Sequence, residues 1–194
     1  SLGAAAIDVQ GCHIDFLAAD GHKWMLGPEG LGVFYCSSEL RETLKLFQFG
    51  WHMVEKAGDF DATEWQPAHS ARRFECGSPN MLTIHALHAS LSLLLERGMK
   101  KVEEAILANS RYLIDALGSI PEIEVITPAS PDRHLGIITF RHGSVSTEQL
   151  HDVLSEQGVF CAQRGGGVRF SPHFYTPRTA LERAAELAVR YGKN

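Results

Sequence analysis

Residues 16–30 read Phe16-Leu17-Ala18-Ala19-Asp20-Gly21-His22-Lys23-Trp24-Met25-Leu26-Gly27-Pro28-Glu29-Gly30. The apolar run from Ile14 to Ala19 has the length and composition of a buried strand. The Gly27-Pro28-Glu29-Gly30 punctuation then turns the chain back, and a second apolar run, Leu31 to Cys36, makes the next strand. Lys23 therefore sits where a strand closes and a turn opens. A lysine kept from water there favours its neutral amine, the form that attacks a carbonyl carbon. The plain alternative is a lysine that leaves the strand end for solvent, and position by itself favours it.

Working outward, Ser38 is placed to cap a short helix running to about Leu46. Residues 47–78 show no period and hold Phe47, Phe49, Trp51, Phe60, Trp65, Arg72, Arg73 and Phe74. So long an irregular stretch belongs to a site or an interface. Trp51 and Trp65 read equally as interface anchors or as core. Ser78-Pro79 opens a long helix with Leu87, Leu91, Leu94 and Leu95 on its apolar side, broken near Gly98. A second helix over 99–117 buries Val102, Ile106, Leu113 and Leu117.

From Glu122 the pattern changes to strands joined by helices. Strands are expected at 123–126, 136–140, 159–162 and 168–171, with a helix at 146–157 started by Ser146 or Thr147. Gly165-Gly166-Gly167 reads as a tight turn or as an anion cradle. Thr176 and Pro177 read as N-cap and first residue of a final helix, whose core face is Leu181, Ala184, Ala185 and Ala188. The reading is an α/β protein in two parts, 1–97 and 98–194, meeting near Leu95 to Gly98.

Composition excludes several classes. The 194 residues carry a net charge of −5, with 44% hydrophobic and 21% charged residues, the balance of a globular chain. A net acidic chain lacks the basic face that nucleic acid requires. No apolar run nears the ~20 residues of a membrane span, and the N-terminus has no basic signal-peptide region. Cys12, Cys36, Cys76 and Cys161 form no CxxC pair, which points to reduced thiols and a cytoplasmic location. His85 and His88 have i, i+3 spacing but no acidic partner nearby, and no HExxH or HxxEH occurs, so no metal is expected.

Three blocks carry a resemblance. The Phe16–Gly30 segment, Arg73-Phe74-Glu75-Cys76-Gly77-Ser78-Pro79-Asn80 and Arg169-Phe170-Ser171-Pro172-His173-Phe174-Tyr175-Thr176 stand in the order found in class V aminotransferases. These are fold-type-I pyridoxal-phosphate (PLP) enzymes that include cysteine desulfurases, isopenicillin-N-epimerase-like proteins and kynureninase. The resemblance implies a remnant of the family's large PLP-binding domain over 1–97 and its small C-terminal α/β domain over 98–194. It also implies a homodimer that transforms an amino acid at the alpha carbon by transamination, epimerisation or elimination.

Residue by residue, the resemblance makes Lys23 the catalytic Schiff-base lysine that also moves the alpha proton, and His22 a contact to the cofactor phosphate. Ser78 stands in the family's threonine position and would reach the phosphate of the partner subunit's cofactor, besides reading as a helix N-cap. Arg169 would grip the substrate carboxylate through its planar fork; its plain alternative is a surface arginine.

The departures are specific. Asp20 replaces a phosphate-binding serine, so its carboxylate is expected to point away or to bond backbone N–H groups. Thr176 replaces an asparagine. Cys161 lies within an expected strand rather than in the loop that carries the persulfide cysteine of desulfurases, which ranks desulfurase chemistry below aminotransferase or epimerase chemistry. The phosphate loop, the ring stacked on the cofactor and the aspartate that pairs the pyridine nitrogen all precede the lysine in the family and are not in this sequence. The chain is therefore expected to be an incomplete part of the enzyme, inactive alone. The alternative from a different class is a non-catalytic dimerising or binding module.

Overall fold

The computed structural model describes residues 1–191; positions 192–194, the end of the expected second part, lie outside the described residues. The chain divides into two units. One comprises Leu2 and Ile7–Glu96; the other comprises Ser1, Gly3–Ala6 and the residues from Arg97 onward.

In the first unit, β1 (Phe16–Asp20) and β2 (Gly32–Cys36) form an antiparallel pair, with Phe16 opposite Cys36 and Asp20 opposite Gly32. The buried strand expected at 14–19 is a strand, but it is not buried. Phe16, Ala18 and Asp20 are exposed, and Leu17 and Ala19 are only half-buried. The physical reason is that β1 has one strand neighbour among the described residues, and a lone pair of strands cannot bury both faces. The short helix α1 (Ser38–Arg41) stops well before Leu46, and its cap position is Ser37, without a capping side-chain bond. Residues 47–78 contain two 3-10 turns, Trp51–Met53 and Ala71–Phe74, and an isolated bridge between Val54 and Pro67.

The long helix α2 (Met81–Arg97) begins two residues later than expected. Asn80 starts it: the Thr83 backbone N–H donates to its side-chain oxygen at 3.3 Å. Asparagine is among the strongest N-cap residues, so Ser78 is not the cap. Gly98, with φ 87°, separates α2 from α3 (Met99–Gly118).

The second unit contains α3, β3 (Ile123–Val125), β4 (Ile138–His142), α4 (Thr147–Glu156), β5 (Ala162–Arg164), β6 (Gly167–Phe170) and α5 (Arg178–Arg190). Its sheet runs β3-β4-β6-β5 with every neighbouring pair antiparallel. Of the two starts expected for α4, Ser146 or Thr147, Ser146 is the cap, in a capping box: Gln149 N–H donates to the Ser146 hydroxyl, and Ser146 N–H to the Gln149 side chain. The strand expected at 159–162 instead spans 162–164, so Cys161 lies just outside it. The final helix begins at Arg178 with Pro177 as its cap. Thr176 is not the cap because its hydroxyl is used elsewhere, accepting the His173 backbone N–H at 3.0 Å. Asn109 of α3 ties this turn down, donating to the His173 and Thr176 carbonyls at 3.0 and 3.4 Å.

One continuous core fills this unit, from Leu113 and Leu117 through Ile138, Phe140, Leu150, Leu154, Val168 and Phe170 to Leu181 and Ala188. Ala4, in the same unit, is fully buried, and Ala6 N–H donates to Glu103 of α3 at 3.0 Å. Phe140 is its largest fully buried side chain, edge-to-face on Phe170 with centroids 5.0 Å apart. Replacing Phe140 with alanine is expected to cost about 3–5 kcal/mol, read as a lowered urea midpoint for this unit. A loss below about 1 kcal/mol would contradict the core described.

Candidate functional site

The lysine turn is built by its backbone. Gly21 N–H donates to the Leu31 carbonyl at 2.9 Å, Gly27 N–H to the Gly21 carbonyl at 2.8 Å, and Leu26 N–H to the Lys23 carbonyl at 3.0 Å. Leu87 of α2 presses on this loop. A Cβ on Gly21 would lie 2.9 Å from the Leu31 carbonyl oxygen, closer than packed atoms tolerate, with Leu87 in contact at 3.4 Å. Only glycine fits there, and its place fixes where His22 and Lys23 leave the end of β1. Met25, two residues on, is buried and anchors the loop.

Lys23 itself is not desolvated, contrary to expectation. Its side chain is 63% exposed and forms an ion pair with Asp20, three residues earlier and 53% exposed. The apolar strand was expected to carry its lysine inside, but β1 is open to solvent and its last residue supplies a counter-charge. Asp20 therefore neither points away nor bonds backbone N–H groups; it holds the ammonium. That hydrogen bond, then the charge of Lys23, and more weakly the charge of His22, hold Asp20 below its ordinary 3.8. Sequence reasoning missed this pair, although opposite charges three apart around a turn were the available signal.

His22 is exposed beside Lys23. Ser78 is also exposed in the same unit, and with Asn80 capping α2 its hydroxyl is not spent on the helix. Arg73, quoted only as part of a motif, is 9% exposed, and its buried Nε has no hydrogen-bond partner among the described residues. Its neighbour Arg72 donates to the Val54 and Glu55 carbonyls at 2.9 and 2.8 Å. Trp51 and Trp65 are 46% and 47% exposed, against Phe60 and Phe49 respectively, so neither is core. His85 and His88 are exposed, and among the described residues no group of three or more His, Cys, Asp or Glu side chains gathers at metal-binding range. No helix among them is long and apolar enough to cross a membrane.

Arg169 belongs to the other unit, in the middle of β6. It is half-buried, and its Nε is buried without an acceptor among the described residues, a costly state for a charged donor. The Nε atoms of Arg41, Arg72 and Arg73 share that state among the described residues. Cys161 is half-buried before β5; burial pushes its thiol up from the ordinary 9.0, offset in part by a hydrogen bond with Ser155.

The sequence profile of the class-V aminotransferases matches residues 1–182. A cysteine desulfurase of Klebsiella pneumoniae subsp. pneumoniae is 32% identical over 174 residues, which cover 90% of this chain and 40% of the relative. Among solved structures, the apo cysteine desulfurase of Thermococcus onnurineus NA1 superposes with a TM-score of 0.87 at 23% identity, over 100% of this chain and 50% of that one. A lysine-to-alanine variant of C-DES, with glycine covalently linked to its PLP cofactor, superposes at 0.84 and 23% identity over 97% of this chain and 49% of that one. The chain thus spans about four-tenths of the curated relative's length and half that of the structures. Their shared fold is mixed helix and sheet, and the family is PLP-dependent. On the match over residues 1–182, this chain belongs to the class-V aminotransferase family.

Proposed function

We propose that this chain is part of a PLP-dependent enzyme acting at the alpha carbon of an amino acid, with Lys23 holding the cofactor. The observation that carries this reading is the class-V aminotransferase match over residues 1–182, a span that includes the lysine segment and its tight Gly21 turn.

The side chains present fit the cofactor and its substrate. An exposed lysine can reach an aldehyde once its ion pair with Asp20 opens, and a guanidinium whose buried Nε lacks an acceptor among the described residues suits a carboxylate. PLP, when bound, supplies an electron sink for the substrate's alpha carbon. Lys23 holds the cofactor covalently and, once released, takes or returns the alpha proton at Nζ. His22 and the unspent Ser78 hydroxyl bind phosphate, Ser78 that of a second copy in a homodimer. Arg169 orients the substrate by its carboxylate. Residues 1–97 then serve as the cofactor-binding part and residues 98–194 as the small domain.

Transamination, epimerisation or elimination is the reading for the reaction. Desulfuration is the second, favoured by the names of the relatives. Against Cys161 as its persulfide carrier stands a thiol pushed up by burial, the reverse of what a reactive cysteine needs.

Added PLP is expected to give a visible absorption band, and borohydride to leave pyridoxyl mass on the Lys23 peptide; Lys23→Ala should lose both. Label spread evenly over Lys45, Lys56, Lys100 and Lys101, with none favouring Lys23, would sink the assignment and leave a non-catalytic module. In enzyme that turns over, Cys161→Ala should keep activity within about twofold, whereas loss of a hundredfold or more would restore desulfuration through that thiol.

The Asp20–Lys23 pair also has a pH signature. Because the folded-state carboxyl titrates below 3.8, the contact stabilises the turn at neutral pH and is lost as acid carries the solution down through the lowered value. Carboxyl-carbon NMR of Lys23→Ala should show the Asp20 midpoint rising toward 3.8. An unchanged midpoint would mean the pair does not persist in solution.

A further inference from the structure

Along β4 and β6, Ile138, Phe140, His142, Val168 and Phe170 are buried, and the residues between them point to the opposite face of the sheet. Strand register sets the composition of that opposite face. Arg169 lies across from Thr139 on one side and Ala162 on the other, Arg164 across from Gly167, and Glu124 across from Arg141. Partners in register share a face, so Glu124, Arg141, Thr139, Arg169, Ala162 and Arg164 all do.

The charges on this face are unequally matched. Arg141 is paired with Glu124, its Nη2 and Nε lying 2.7 and 2.9 Å from one carboxylate oxygen. Arg164 and Arg169 have no carboxylate in ion-pair range among the described residues. Arg169 has the buried Nε without an acceptor among the described residues, whereas Arg164 is exposed on the edge strand. Their Cα atoms are diagonal neighbours, about 7–8 Å apart in an antiparallel pair. The turn between them is the two-residue Gly165-Gly166 connection, both glycines at positive φ (67° and 84°), which locks the hairpin register. Register thus places two arginines as diagonal neighbours on one face.

We propose that Arg164 and Arg169 form a joint site for a dianion: Arg169 takes the alpha-carboxylate of the substrate and Arg164 a second acidic group at the far end of its side chain. The substrate class is then amino acids with an acidic side chain. The assignment rests on the reading of Arg169 given above and extends it with a second binding residue, Arg164, which sequence reasoning passed over. The clue in the sequence was the spacing Arg164-Gly-Gly-Gly-Val-Arg169, which places the two on the same side of a tight hairpin.

The test uses the full chain, without cofactor, and a matched pair of four-carbon probes, succinate and butyrate, followed by amide NMR. Succinate should shift Ala162, Arg164 and Arg169 at roughly tenfold lower concentration than butyrate, as one further charge-assisted bond implies. Arg164→Gln should bring succinate to the butyrate level, Arg164→Lys should keep part of the preference, and Arg141→Gln should keep all of it. Equal binding of the two probes, a preference that survives Arg164→Gln, or equal loss in Arg141→Gln would overturn the proposal. Borohydride labelling of Lys23 is read separately, so failure of the dianion site and failure of the PLP assignment give different results.

Discussion

The lysine-bearing unit depends on a close approach of backbone to backbone at Gly21. Its N–H meets the Leu31 carbonyl, its own carbonyl accepts from Gly27, and Leu87 of α2 closes the space a side chain would need. With no Cβ to accommodate, the chain turns directly at the end of β1. His22 and Lys23 then project from a fixed point instead of from a loose loop. Asp20, the residue before the turn, is held close enough to neutralise the amine. The Gly-His-Lys sequence is thus a geometric device before it is a chemical one.

The two units differ in how they are held together. From Leu113 to Ala188 one connected set of buried side chains joins three helices and a four-stranded sheet. The other unit has a few scattered buried positions, among them Met25, Cys36, Met53, Ala68, Leu87 and Leu94, and both strands of its ribbon are open. Apolar burial is the main favourable term in folding, so the second unit holds the larger share of it. The first relies on local backbone bonds, such as the lysine turn and the Arg72 clamp on the Val54 and Glu55 carbonyls.

Much of this was legible in the sequence. The break at Gly98, the two helices around it, a helix start at Ser146 or Thr147 and the family blocks all follow from short-range pattern, and the structure has these elements within a few residues of where that pattern puts them. What local pattern does not encode is what covers a strand. The run Ile14 to Ala19 has the composition of a buried strand, yet burial depends on neighbours, and β1 has one. The expected desolvation of Lys23 failed with it. The caps went wrong for a related reason: Ser78, Thr176 and Asn80 all suit a helix start, and competing partners decide which is used. Arg164 was passed over because its meaning depends on register across a hairpin, which a list of motifs does not contain.

The tie made by Asn109 has a mechanical consequence. Because that amide fastens the segment after β6 to α3, and Pro177 follows at once as the cap of α5, the strand bearing Arg169 is braced at its far end by two helices. Any displacement of that strand through the backbone must carry both helices along, so freedom at Arg169 is confined to its side-chain torsions.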